Sequence, residues 1–204
     1  MARPANPELR GEILKAAAHI VEDCGPDCVT MRQVAETIGS SPTTIYLYFK
    51  DKSEVLRGSV HAAFAELAEA CELATVGPRA LDKLRQNSRA YVVWGIMHPG
   101  HYRLMFEYSE ELQFSAEDLT LMKETLAPVH TYIQEAVDAG ELSSHTNATE
   151  TAEAVWAALH GATSLAITGR LTHSTSGSSG AEAVGAATRA AEQLLNSLLT
   201  SLAA

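Results

Sequence analysis

The sequence predicts an all-α protein, on the evidence of its apolar spacing and its helix-end signals. No segment alternates apolar and polar residues for long, and apolar residues recur at helical intervals along the first segment, at Ile13, Leu14, Ala17 and Val21. Asn6-Pro7 and Ser41-Pro42 each place an N-cap residue before a proline suited to the first helical turn. Gly25-Pro26 ends the first helix.

These signals define a series of helices separated by turns. The predicted ranges are about 7–24, 31–38, 42–49, 51–75, 78–98, 101–107, 115–140, 149–171 and 181–202. Pro128 is expected to kink the seventh of them, and residues 173–180 are expected to form a flexible polar loop. A chain of 204 residues is long enough for one or two domains with a sizeable core.

Charge is distributed unevenly along the chain. Residues 1–60 carry a net charge of −1 and residues 61–204 a net charge of −9, so the acidic total of −10 comes from the second part. Nucleic-acid binding by the first part stays possible, because each local cation that neutralises a phosphate contributes. No run reaches the roughly 18 apolar residues that a spanning helix needs, and no signal peptide is visible, so we expect a cytoplasmic protein without a membrane partner.

The sequence shows no pattern for catalysis, metal binding or a cofactor. Cys24-x-x-x-Cys28 lacks a second ligand pair at zinc spacing, and His98 and His101 are separated by Pro-Gly. The three cysteines, with Cys71, are expected to be free thiols; a redox role for Cys24 and Cys28 stays open. No nucleophile–base arrangement and no glycine-rich phosphate loop is present, so we expect neither catalytic residues nor a cofactor.

Two short helices joined by a turn at Gly39 have the form of a helix-turn-helix. Ile45 and Phe49 are spaced to pack on the preceding helices, which leaves hydroxyl-bearing and basic residues exposed. Small hydroxyls can reach base edges, whereas Tyr and Lys suit phosphate oxygens. The residues predicted to contact DNA are Thr30, Thr43, Thr44, Tyr46, Tyr48, Lys50 and Lys52.

The run from Thr30 to Lys52, TMRQVAETIGSSPTTIYLYFKDK, resembles the signature of the tetracycline-repressor (TetR) family. That family shows Thr at the first cap, Val-Ala or Ile-Ala in the second helix, Gly in the turn, and then Tyr-x-x-Phe-x-x-Lys, here Tyr46, Phe49 and Lys52. The likeness covers about residues 7–57. Many members carry Lys-Gly where this chain has Pro42-Thr43, which removes one possible phosphate contact.

A second likeness lies farther along the chain. Trp156-Ala-Ala-Leu-His160-Gly161 is similar to the Trp…His-Gly (WHG) signature of one class of C-terminal regulatory domain in that family, and the segment from His98 to Phe106 resembles part of the same class. Ligand pockets are mostly apolar. The residues predicted to line one, as a cluster, are Trp94, Met97, Tyr102, Met105, Phe106, Tyr132, Trp156 and His160. Taken singly, such residues are more often ordinary core.

The resemblance implies a homodimeric regulator in which a small apolar effector, bound to the C-terminal domain, releases the protein from double-stranded operator DNA. We expect a three-helix DNA-binding domain over residues 1–52 and a ligand-binding and dimerisation domain over residues 53–204. Alanine-rich faces on the last two helices, with Leu194, Leu195, Leu198 and Leu199, favour a four-helix bundle between two copies, or alternatively a pair within the chain. The alternative functions are a sequence-independent architectural DNA-binding protein and a helical ligand carrier or enzyme.

Overall fold

The computed structural model describes residues 6–108, 112, 115–171 and 180–203, and these ranges are helical with no strand. The all-α prediction is confirmed. Residues 173–179 of the expected loop lie outside the described residues, and residue 180 begins the last helix. A 3₁₀ turn at Pro26–Cys28 follows the first helix. The helices are α1 (Pro7–Cys24), α2 (Met31–Thr37), α3 (Pro42–Tyr46), α4 (Lys52–Ala74), α5 (Ala80–Met97), α6 (Pro99–Phe106), α7 (Ala116–Asp138), α8 (Ala148–Ile167) and α9 (Gly180–Ser201).

Helix starts follow the caps predicted from the sequence. The Asn6 side chain accepts from the Glu8 N–H at 3.0 Å, and Thr30 Oγ1 accepts from the Gln33 N–H at 3.1 Å. Each bond satisfies a backbone donor that a first helical turn leaves free. At the start of α7, Asp118 Oδ2 accepts from the Ser115 N–H at 2.6 Å, while Ser115 Oγ accepts in return from the Asp118 N–H at 3.2 Å.

Helix ends differ more from the prediction. The third helix ends at Tyr46 rather than Phe49, because its last turn tightens to bonds from Leu47 N–H to the Thr44 carbonyl and from Tyr48 N–H to the Ile45 carbonyl. The eighth ends at Ile167 rather than near residue 171, since Gly169 adopts φ 66°. The sixth begins earlier than predicted, with Pro99 in its first turn.

The chain forms two compact units, of which the first comprises Met1–Glu66 and His98–Leu121. Its core includes Ile13 and Val21 of α1, on which α2 and α6 pack. Phe106 on α6 lies edge-on to Phe64, with ring centroids 5.9 Å apart. The predicted boundary after residue 52 concerns functional domains and stays a prediction, whereas the compact unit continues along α4 to Glu66.

The second compact unit comprises Leu67–Met97 and Met122–Ala204. Helices α5, α8 and α9 pack against one another, and Leu84, Leu159 and Leu199 are among their buried residues. Arg89 on α5 forms an ion pair with Glu192 on α9, Nη1 to Oε1, at 3.3 Å. The pair is exposed and contributes little to stability, so apolar burial holds these helices together.

The contact between α1 and α6 generates a prediction at Gly100. A Cβ atom there would lie 2.7 Å from the carbonyl oxygen of Ala18 and 2.7 Å from Glu22 Cβ. Gly100→Ala should lower the free energy of unfolding by about 1–3 kcal/mol, because this overpacking exceeds the roughly 0.5–1 kcal/mol that alanine gains over glycine inside a helix. Urea unfolding measures it. Gly11→Ala, where a Cβ meets nothing within 4 Å, is the matched control and should not destabilise; equal behaviour of the two variants would contradict the packing described.

A second prediction concerns the Asp118 carboxylate, which is 5% exposed and bonds to the His61 ring. Burial by itself would raise the pKa of Asp118, but hydrogen bonds from His61 and Ser115 outweigh it and hold the pKa below its ordinary 3.8. The stability gained is therefore present above that value and lost as the pH falls through the folded-state pKa. Asp118→Asn should show a smaller drop in Tm than wild type between about pH 5 and pH 2. Glu124→Gln, which removes an exposed carboxylate, should show the wild-type drop in Tm over this pH range. The wild-type drop in Tm for Asp118→Asn would contradict the prediction.

Candidate functional site

The turn between α2 and α3 has a defined backbone geometry. Gly39 adopts φ 64°, a left-handed conformation that favours glycine. The Ser40 N–H donates to the Ala35 carbonyl at 2.8 Å and the Gly39 N–H to the Glu36 carbonyl at 3.2 Å, the pair of bonds of a Schellman motif. The Ser41 hydroxyl then accepts from the Thr44 N–H at 3.2 Å and begins α3. The two helices therefore meet through a fixed turn, as a helix-turn-helix requires.

Burial on one side of α3 determines what the other side exposes. Ile45 and Phe49 are 0% and 1% exposed, whereas Tyr46 is 56% exposed. Thr43 and Lys50 are also exposed. This surface combines a small hydroxyl, a phenol and an ammonium group, which together can meet base edges and phosphate oxygens.

The other predicted DNA contacts already bond within the chain. Thr30 Oγ1 caps α2, and the Thr44 hydroxyl lies 2.9 Å from Ser41 Oγ. The Tyr48 hydroxyl accepts from the Asn6 N–H at 3.0 Å, and Lys52 Nζ donates to the Asp27 carbonyl at 3.5 Å. These bonds fix the four side chains in place and leave the hydroxyls of Thr44 and Tyr48 with hydrogen-bonding capacity for a second partner.

An apolar cavity lies inside the second compact unit. It measures about 10 Å³, on the scale of a single water molecule. Burial raises the pKa of the Cys71 thiol at its wall to about 12, so that side chain is neutral there. Its walls are Leu67, Cys71, Asn87, Tyr91, Thr125, Leu126, Val129, Trp156 and Leu159.

The eight residues predicted for a ligand pocket fall in both units. Trp156 lies on the cavity wall, and its ring centroid is 5.9 Å from that of His160. Trp94 is buried, Met97 is 62% exposed, and Lys83 Nζ lies 5.8 Å from the ring centroid of Tyr132. Three of the eight belong to the first unit, where they lie on α6: Tyr102, Met105 and Phe106.

Two residues near α3 and the cavity were not predicted from the sequence. Arg10 lies over the Phe49 ring at 5.0 Å, and Asn87 is a buried polar residue on the cavity wall. A polar side chain within the apolar stripe of α5 could have marked Asn87; long-range contacts such as Arg10–Phe49 leave no pattern in the local spacing. Within the described ranges no group of three His, Cys, Asp or Glu residues is placed to hold a metal ion.

A membrane-crossing segment is also absent from the described part of the chain, where every helix is too short or too polar to span a bilayer.

Two sequence families match the chain. Residues 13–58 match the family described as bacterial regulatory proteins, tetR family, and residues 84–187 match the tetracyclin repressor-like C-terminal domain. The second match alone covers half of the 204 residues. Among curated proteins none is significantly similar in sequence.

Solved structures share the fold. A protein of unknown function from Rhodococcus sp. RHA1 superposes with a TM-score of 0.77 at 23% identity, with 100% of both chains covered. A TetR family transcription regulator from Marinobacter aquaeolei VT8 has a TM-score of 0.66 at 17% identity, covering 89% of this chain and 94% of that one. The fatty acid degradation regulator FadR from Bacillus halodurans has a TM-score of 0.77 at 14% identity, covering 95% and 97%.

The family matches and the helix-turn-helix geometry agree with the resemblance inferred from residues 30–52, which is confirmed; the finer WHG class stays a prediction. The chain belongs to the TetR family of DNA-binding transcription regulators, which is not an enzyme family.

Proposed function

We propose that the chain is a cytoplasmic repressor that binds a pseudo-palindromic operator as a homodimer and is released by a small apolar ligand. The observation that carries the DNA-binding part is the exposed surface of α3 and the segment after it, where Thr43, Tyr46 and Lys50 are exposed while Ile45 is buried on the other side of the helix. In this proposal residues 1–52 bind DNA, and residues 53–204 bind the ligand and dimerise.

The cavity of the second unit supports an apolar ligand. Leucine, valine and aromatic side chains make up most of its walls, and the neutral thiol of Cys71 adds no charge. Leu67 and Cys71 stand on α4, the same helix that begins at Lys52. A ligand that enlarges the cavity would therefore displace the helix on which a proposed phosphate contact stands. Such a ligand shifts the equilibrium only as far as its affinity differs between the two conformations.

Exposed apolar residues on α8 and α9 support the dimer. Ala157, Gly161 and Leu165 recur at helical spacing on α8, and Leu165 is 43% exposed. On α9, Leu194 is 50% exposed, whereas Ala191, Leu195 and Leu199 are buried within the unit. The buried face of α9 packs within the chain. The exposed residues Leu165 and Leu194 are then available to a second copy, as in a symmetric four-helix bundle.

The DNA-binding proposal is tested by selecting duplexes from random-sequence DNA and titrating them by fluorescence anisotropy. The selected sequences should be pseudo-palindromic, with half-sites one or two helical turns apart. Tyr46→Phe should weaken binding by about 2–10-fold on selected and unrelated duplexes alike, as loss of a phosphate hydrogen bond implies. Lys50→Ala should reduce the slope of the logarithm of the binding constant against the logarithm of salt concentration by about one for each protomer bound. Thr43→Ala should change the preferred bases.

Lys123→Ala is the matched control for that experiment, because it removes an exposed lysine from α7, which is not part of the helix-turn-helix. It should bind DNA as wild type does. Wild-type binding by Tyr46→Phe and Lys50→Ala would contradict the proposed contacts. Equal wild-type affinity for selected and unrelated duplexes would instead support the architectural alternative.

The dimer proposal predicts the behaviour of Leu194→Glu. A carboxylate at this exposed position would be buried without a partner in the dimer, so the variant should sediment as a monomer. Operator binding should weaken by about a hundredfold or more, because the two half-sites lose their linkage. Leu73→Glu, at a residue 75% exposed on α4, is the control and should remain dimeric. A Leu194→Glu dimer with normal operator affinity would contradict the proposed interface.

A further inference from the structure

We propose that Cys24 and Cys28 form a peroxide-sensitive dithiol that closes to an intramolecular disulfide and thereby weakens DNA binding. The two residues flank the turn between α1 and α2, where Cys24 is the last residue of α1 and Cys28 ends the 3₁₀ turn. Cys24 is exposed and Cys28 is half-buried. Cys71, the third cysteine, is buried in the other compact unit.

Cys24 and Cys28 are free thiols that lie on the two sides of one tight turn. Gly25 turns the chain sharply at φ 88°, so the residues after it fold back over the end of α1. Cys28 Sγ donates to the Cys24 carbonyl at 3.2 Å, which places its thiol against the residue it would bond to. The ring closed by a disulfide would contain the three residues of the short loop between them, Gly25, Pro26 and Asp27.

A cleft of about 430 Å³ gives an oxidant access to Cys24. The cleft lies within the first unit, and its walls combine apolar and polar groups: Cys24, Gly25, Pro26, Asp27, Lys52, Ser53, Leu56, Tyr108 and Leu112. Lys52 and Asp27 line the same cleft. The thiolate is the form of cysteine that attacks peroxides. Leu56 and Leu112 give part of the cleft an apolar surface, which suits an organic hydroperoxide, whose carbon part is apolar.

The reaction balances with a hydroperoxide as the oxidant. The Cys24 thiolate attacks the terminal oxygen of the peroxide, the O–O bond breaks, and an alcohol leaves while the sulfur becomes a sulfenic acid. The Cys28 thiol then attacks that sulfur, the S–O bond breaks, and water leaves as the disulfide forms. Two thiols are oxidised by two electrons in total, and one hydroperoxide is reduced to one alcohol and one water.

The loop connects this chemistry to the DNA-binding surface. Asp27 lies inside the ring, and its carbonyl oxygen accepts from Lys52 Nζ at 3.5 Å. Disulfide formation removes the hydrogen bond from Cys28 Sγ to the Cys24 carbonyl, together with the bond from Cys24 Sγ to the Ile20 carbonyl at 3.5 Å. The cross-link would therefore replace two hydrogen bonds of the loop whose Asp27 carbonyl accepts from Lys52, and the same loop leads through Val29 into the Thr30 cap of α2.

The chemical test treats the full chain with cumene hydroperoxide, counts free thiols after denaturation and maps linkages by peptide mass spectrometry. Wild type should lose two of its three thiols and yield a Cys24–Cys28 linked peptide, while the buried Cys71 stays reduced. Cys28→Ser should form no linkage, and dimedone should trap a sulfenic acid at Cys24. Failure of wild type to form the linkage, or oxidation of Cys71 as fast as Cys24, would overturn the proposal.

The functional test compares DNA binding before and after oxidation. Oxidised wild type should bind the selected duplex more weakly, on the order of tenfold as is common for coupled sites, and dithiothreitol should restore the affinity. The double variant Cys24→Ser with Cys28→Ser should keep its affinity through the same treatment. A linked protein with unchanged affinity would overturn the regulatory role, whereas a reduced protein that binds no duplex at all would count against the DNA-binding proposal instead.

Discussion

The DNA-binding surface depends on the burial of two side chains, Ile45 and Phe49. α3 has five residues, far fewer than a helix needs to be stable alone in water. Ile45 is fully buried and Phe49 nearly so, with the Arg10 guanidinium stacked on the Phe49 ring. The outward direction of Thr43 and Tyr46 follows from that anchoring, because residues on opposite sides of so short a helix move together. Any change in the packing beneath α3 therefore also shifts the exposed side chains of Thr43 and Tyr46.

Charge places a second constraint on recognition. The first sixty residues are close to neutral, and the rest of the chain is acidic. In the proposed contact map, Lys50 and Lys52 therefore provide local attraction to phosphates without help from the overall charge. Their arrangement is specific: Lys52 is oriented by the Asp27 carbonyl, while Lys50 is exposed. An acidic protein gains little from non-specific contact with nucleic acid, so in this proposal specific binding relies on the fit of α3.

Short-range signals in the sequence were sufficient for the fold and for the helix-turn-helix. The caps at Asn6, Thr30 and Ser41 act within three residues, so local sequence predicts them. The lining of the cavity was harder to predict, because side chains distant in sequence form it. Tyr102 illustrates the difficulty: its aromatic character suggested a pocket, but α6 packs on α1, a neighbour some eighty residues earlier that periodicity does not reveal. Cys71 and Asn87 reach the cavity from two helices for the same reason.

The proline within α7 has a consequence for how a ligand could enter. Pro128 has no amide hydrogen, so the Glu124 carbonyl lacks the backbone bond that an ordinary residue would donate to it. Thr125, Leu126 and Val129, which surround this gap, form one wall of the cavity. A ligand larger than a water molecule could enter only if part of the cavity wall moved. At Pro128 one backbone hydrogen bond of α7 is already absent. Bending α7 at this point breaks fewer hydrogen bonds than bending it elsewhere, so the cavity can enlarge most easily next to Pro128.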